Sequence, residues 1–94
     1  MAGFVVKQPN GRYCRFSTVV DCPTHINMTY IDYIKNVGPQ YNGSVEESID
    51  VLENHLQPFE MIKEKFVPNN MSENKFAELL AKMEDQNPSY YESI

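Results

Sequence analysis

The sequence predicts an α+β domain in which an N-terminal β-hairpin packs on three to four helices. Three observations lead there. Two short runs rich in β-branched and aromatic residues flank Pro9-Asn10-Gly11; apolar stripes at helical spacing follow from Tyr30 onward; and 94 residues, 41% of them apolar and 22% charged, suffice for one small core. Residues 1–86 are read as that single domain and residues 87–94 as a flexible tail.

The hairpin is the clearest local signal. Phe4-Val5-Val6-Lys7-Gln8 and the run from Arg12 to Val20 have strand composition, and the turn between them has its own chemistry. Pro9 presets φ for the second position of a type I turn, Asn10 suits the third, and Gly11 takes the left-handed conformation of a three-residue loop. That loop pairs Gln8 with Arg12, Val6 with Cys14 and Phe4 with Phe16. One face then carries Phe4, Val6, Cys14, Phe16 and Thr18, and the other Val5, Lys7, Tyr13, Arg15 and Ser17. A two-residue Asn-Gly loop shifts the register by one and mixes charge into both faces, so the three-residue loop is preferred. Asp21 to Asn27, with its proline and turn formers, reads as the loop leaving the hairpin.

Helices follow. Thr29 caps the first, with Asp32 placed as in a capping box; Tyr30, Ile31, Ile34 and Val37 make its stripe, and Gly38-Pro39 is expected to stop it. Ser44-Val45-Glu46-Glu47 is a second capping box, with carboxylates in the first turn where the helix dipole favours them. From there Val45, Ile49, Leu52, Leu56, Phe59, Ile62 and Phe66 form one stripe, expected to be the central core element. Pro58 interrupts it, so the stripe lies either on a kinked helix or on two helices meeting near Gln57. Val67-Pro68-Asn69-Asn70 ends it. Asn70 and Glu73 frame a last helix with Phe76, Leu79, Leu80 and Met83 on its apolar face and Glu78 and Lys82 as an exposed pair; it closes near Asp85. The tail has no period and is expected to be mobile unless Tyr90 and Tyr91 dock.

Charge is divided unevenly. Residues 1–43 carry a net +2, whereas residues 44–94 set eleven carboxylates against four lysines, and the chain as a whole is at −5. Affinity for a phosphate backbone comes largely from counterions released by clustered Lys and Arg, so direct nucleic-acid binding is disfavoured. No apolar run approaches the roughly 18 residues of a bilayer span, and the start Met1-Ala2-Gly3-Phe4-Val5-Val6-Lys7 lacks a basic leader. The expected compartment is the cytoplasm. On the predicted long helix Glu46, Glu47, Asp50 and Glu53 form an acidic face suited to a protein with a basic groove. Arg12, Tyr13 and Arg15 form a small basic and aromatic cluster that would stand exposed on the hairpin and suit a protein contact.

Catalytic and metal motifs are weaker. Cys22-Pro23-Thr24-His25 has a gap that a zinc site tolerates, but Cys14 falls on the proposed core face of a strand and His55 lies alone on a helix flank. No cofactor or metal is expected, and both cysteines are read as thiols. Cys22 with His25 lacks the scaffold of a nucleophile and base, and no nucleophile elbow, phosphate loop, metalloprotease pair or dinucleotide fingerprint occurs, so the reading is non-catalytic. Asn27-Met28-Thr29, Asn42-Gly43-Ser44 and Asn70-Met71-Ser72 match the glycosylation acceptor pattern, yet each precedes a predicted helix, and capping accounts for all three.

The segments Met1 to Gly11, Tyr13 to Thr24 and Pro68-Asn69-Asn70-Met71 resemble a group of uncharacterised small acidic proteins from prophages and mobile elements of gut Firmicutes. The likeness spans most of the chain and carries over no functional residue. What it implies is context: small acidic proteins of such elements often resemble inhibitors of host defence enzymes, including the anti-CRISPR proteins, which occupy a nucleic-acid groove or block a conformational change. The expectation is therefore a small acidic binding protein that inhibits a host nucleic-acid-handling enzyme. The other classes weighed are a structural or oligomeric element component, with a homodimer helping so small a core, and a metal or thiol protein built on Cys22, His25 and His55.

Overall fold

In the computed structural model, which describes residues 3–65, 71–88 and 90–94, the chain opens as the predicted hairpin. Strands β1 (Gly3–Lys7) and β2 (Tyr13–Ser17) are antiparallel, with Phe4 opposite Phe16 and Val6 opposite Cys14. The Gln8 amide donates to the Arg12 carbonyl at 2.7 Å and the Gly11 amide to the Gln8 carbonyl at 3.0 Å, closing the three-residue loop. Gly11 has φ 85°, a conformation that costs glycine nothing.

The segment expected to be a loop is instead a third strand, β3 (Cys22–Met28), antiparallel to β2. Its turn-forming residues are absorbed by irregular pairing. The register shifts between Tyr13 and Arg15 and again between Arg15 and Phe16, and Asp21 and Asn27 take φ of 58° and 59°. Asn27 is held in that conformation from outside the strand: its amide donates to Gln8 Oε1 at 2.8 Å, and its Oδ1 accepts from Gln8 Nε2 at 2.7 Å and Asn10 Nδ2 at 3.1 Å. The tail also departs from expectation. Glu92–Ser93 forms β4 on the free edge of β3, and the Ile94 amide donates to the Thr24 carbonyl at 2.7 Å, giving a sheet in the order β1-β2-β3-β4. Two paired residues carry no periodicity, so the sequence pattern passes over them.

Thr29 and Asp32 exchange the two bonds of a capping box, each at 3.0 Å. The helical path they start runs past its predicted stop. Wide π-type turns over Asp32–Val37 continue into α1 (Gly38–Asn42), where Pro39 lies in the first turn and needs no amide partner. The stop is Gly43, at φ 92°. Gly38 permits a close approach to α2 (Val45–Asn54), since a Cβ there would lie 2.2 Å from Ser48 Oγ and 2.7 Å from Ser48 Cβ. Ser44 caps α2 by accepting from the Glu47 amide at 3.1 Å.

The long stripe is carried by two helices. After α2, Gln57 pairs with Val6 in a single parallel bridge and donates its amide to the Val5 carbonyl at 2.9 Å; the chain then rewinds over Met61–Lys65 in a second π-type segment. Phe66 and the predicted end at Val67 to Asn70 lie outside the described residues. Helix α3 (Glu73–Glu84) is capped by Ser72, which accepts from the Lys75 amide at 3.1 Å. In all three acceptor-like triplets the hydroxyl residue, Thr29, Ser44 or Ser72, is the one that caps. Asn27 does not cap; it belongs to the sheet. Lys82 pairs with Glu92 at 3.2 Å rather than with Glu78, which lies 4.0 Å from Lys75.

Helices cover both faces of the sheet. Val5 and Met28 pack with Tyr33, Ile34, Val37, Val51 and Leu52, while Val6, Cys14, Phe16 and Ile26 pack with Ile62, Leu79 and Met83. The stripe divides accordingly, with Ile49, Leu52 and Leu56 on the first cluster, Phe59 and Ile62 on the second, and Val45 left exposed. Each fully buried large side chain contributes about 1.5–3 kcal/mol.

Candidate functional site

Helix α2 presents its carboxylates because Ser48, Val51 and Leu52 turn inward, leaving Glu46, Glu47 and Glu53 exposed and Asp50 half-buried. The four differ in what they border. Glu47 and Asp50 converge on an open cleft of about 540 Å³, which Glu46 and Glu53 do not line. Asp50 is fixed in place: Oδ1 accepts from Asn54 Nδ2 at 2.7 Å and Oδ2 lies 3.1 Å from His55 Nε2.

The edge of the sheet, Gly3, Phe4 and Val5, also lines the cleft, together with Tyr41, His55 and Gln57. The hairpin register decides which backbone groups face the cleft. The Gln8–Arg12 bond makes Val6–Cys14 and Phe4–Phe16 the hydrogen-bonded pairs, so the amides and carbonyls of Gly3 and Val5 turn away from β2. Gln57 takes the Val5 carbonyl. Gly3 is a necessary part of this edge, because a Cβ would sit 2.5 Å from the Phe16 carbonyl oxygen and 3.1 Å from Arg15 Nη2.

The hairpin cluster, expected to stand exposed, is buried at Arg15 and half-buried at Arg12 and Tyr13. Arg15 is only 5% exposed, with its guanidinium carbon 3.5 Å from the centroid of the Tyr41 ring and Nη1 donating to Thr24 Oγ1 at 3.2 Å. Arg12 donates to the Asn27 carbonyl at 3.2 Å, and Tyr13 packs half-buried against the first core cluster. The reason is the layering: β2 is an inner strand covered on both faces, whereas the sequence expectation left one hairpin face to solvent.

Around Arg15 the polar groups hold one another. His25 Nδ1 lies 2.9 Å from Thr24 Oγ1, and its ring stands edge-on to Tyr41 at 6.1 Å and tilted to Tyr91 at 6.5 Å. Burial, and then the Arg15 charge, push the His25 pKa below its ordinary value. Burial lowers that of Arg15, and raises that of Tyr33. Burial also pushes the Cys14 thiol up, which removes its nucleophilic character. Cys14 and Cys22 are both free thiols, and among the described residues no three His, Cys, Asp or Glu side chains are grouped to hold a metal ion.

A second hollow of about 340 Å³ lies between Arg12, Thr29, Asp32, Pro88 and Tyr90. Thr29 and Asp32 are committed there to the capping box and Arg12 to the Asn27 carbonyl. No described helix is long and apolar enough to cross a membrane. The sequence pattern missed Gly3, Tyr41 and Gln57 as members of the cleft; the one signal pointing there was Pro58, which marks where the chain leaves α2. The chain matches no protein-family model, no curated protein and no solved structure.

Proposed function

We propose that the protein is a non-catalytic binding module that docks a basic surface of a partner protein on the acidic side of α2, through Glu46, Glu47, Asp50 and Glu53. The observation that carries this reading is the convergence of Glu47 and Asp50 on an open cleft that has no Lys or Arg among its described lining residues, His55 being paired there with Asp50. Two groups of catalytic type support it by their other commitments: Cys14 is buried, and His25 is engaged with Thr24 beside the Arg15 charge. The acidic excess of the second half of the chain favours a basic protein over nucleic acid itself. The resemblance to mobile-element proteins gives the partner a class, a host enzyme that handles nucleic acid and whose basic groove this protein blocks.

The test is a tagged pull-down from a native host lysate with and without nuclease, comparing wild type with a Glu46→Lys, Glu47→Lys, Asp50→Lys variant whose fold is verified by circular dichroism. The expected result is a nuclease-resistant partner retained by wild type and lost by the variant. Equal retention by both, or nothing retained by folded wild type, removes the reading.

A further inference from the structure

We propose that the cleft takes an extended segment of the partner carrying Lys or Arg at alternate positions, added as a strand to the N-terminal half of β1. This rests on the acidic-face reading above and specifies how the partner is held. Sheet edges pair readily with extended chains, main-chain bonds giving affinity and alternate side chains specificity.

The chain already uses this edge once. Gln57 bridges Val6 in the parallel sense, and its amide reaches the Val5 carbonyl at 2.9 Å. A parallel bridge engages the carbonyl of the residue before its centre and the amide of the residue after it. One step toward the N-terminus, the same geometry is centred on Phe4 and engages the Gly3 carbonyl and the Val5 amide, both turned away from β2 by the hairpin register. Among the described residues nothing fills that step. His55, two residues before Gln57, is held at the end of α2, its amide donating to the Val51 carbonyl at 3.0 Å. Among the described residues Gln57 alone pairs with this edge.

The cleft lies at that step, and its volume of about 540 Å³ accommodates a short length of extended chain. Charge then selects the segment. In an added strand the residue opposite Phe4 points to the Phe4 face, and its two neighbours point to the face of Gly3 and Val5. That is the face on which Val51 and Leu52 of α2 pack against Val5, and α2 brings Glu47 and Asp50 to the cleft. Basic side chains flanking one apolar residue meet the carboxylates, whereas acidic ones meet like charge.

The probe is the acetylated and amidated pentapeptide Lys-Val-Lys-Val-Lys, titrated into the full chain at about 0.15 M salt, where exposed charges are screened beyond ~8 Å. Backbone amide resonances and amide exchange are followed, with a second peptide N-methylated at both valines. The expected result is perturbation centred on Gly3, Phe4 and Val5, and slowed exchange of the Val5 amide. N-methylation should weaken binding about fivefold or more, as loss of a backbone donor predicts. Glu47→Gln with Asp50→Asn should weaken it by a similar factor, and Glu78→Gln on α3 should leave it unchanged. Equal binding of the methylated peptide, with the Val5 amide unaffected and the carboxylate variant weakened, overturns strand addition while leaving the acidic face standing. Absence of binding, or perturbation centred elsewhere, also overturns strand addition, and the pull-down then judges the acidic face by itself.

Discussion

Replacing Gly38 by alanine tests the contact that seats α1 against α2 and with it Tyr41 in the cleft. The added methyl would lie 2.2 Å from Ser48 Oγ, 2.7 Å from Ser48 Cβ and 3.0 Å from Tyr33 Cε2. Ser48 is fully buried, and its single hydroxyl proton is shared between the Ser44 carbonyl at 2.8 Å and Asn42 Oδ1 at 2.9 Å, so rotating it away loses that bonding and leaves the Cβ clash. The two helices must separate. Overpacking of this kind costs about 1–3 kcal/mol, against a gain of up to about 1 kcal/mol for alanine over glycine in a helix. The net expectation is a loss of roughly 1–2 kcal/mol by urea denaturation, or ~5–15 °C in Tm for a domain of this size. Ser48→Gly removes both clashing atoms, so the double variant should recover about 1 kcal/mol or more relative to additivity. A Gly38→Ala protein as stable as wild type, or a strictly additive cycle, refutes the close approach.

Arg15→Lys keeps the charge but loses the planar stack on Tyr41 and the bond to Thr24; about 1–3 kcal/mol of stability should go with them in urea denaturation, and unchanged stability would contradict a buried role. His25 has a folded-state pKa below its ordinary 6.5 because of burial and the Arg15 charge, with Tyr41 and Tyr91 as its other ring neighbours. The unfolded chain therefore binds the extra proton first. Stability should fall as pH drops below about 6.5 and level out beneath the folded value, and His25→Gln should flatten that slope in Tm measured between pH ~5.5 and ~7.5; a slope of opposite sign would reverse the assignment. Thr29→Ala removes one arm of the capping box and should cost about 1 kcal/mol, read as a fall in Tm of about 4–8 °C.

What the sequence made legible was local. The hairpin register followed from Pro9-Asn10-Gly11 and the alternation around it, and the starts of the helices from hydroxyl and carboxylate residues within a turn of one another. The third strand was hidden because Asp21 beside it and Pro23 and Asn27 within it are turn formers, the latter two fitting a strand here through a shifted register and, at Asn27, bonds with Gln8 and Asn10 across the hairpin. The acidic side of α2 was readable from helical period alone. The cleft was not, since part of its lining comes from residues 3–5 and part from Gln57, brought together by a bridge no local pattern encodes.

Arg15 shows why a wrong placement still touched the site. The sequence offered it as a contact residue, whereas in the fold it lies beside two residues of the cleft: Tyr41 covers its guanidinium, and its Nη2 group would lie 3.1 Å from a Cβ at Gly3, next to the Phe16 carbonyl oxygen that excludes one at 2.5 Å. Both Tyr41 and Gly3 face the cleft. With a partner docked in the cleft as proposed, a substitution at Arg15 should weaken binding by shifting Tyr41 and the start of β1, in proportion to the stability it removes, and without altering charge at Glu47 or Asp50. A contact residue behaves in the opposite way: neutralising Glu47 changes binding and its salt dependence while leaving the urea midpoint close to wild type. Measuring both quantities on the same variants separates the two roles, and an Arg15→Lys protein with wild-type stability and lost partner binding would return Arg15 to the surface that the sequence first gave it.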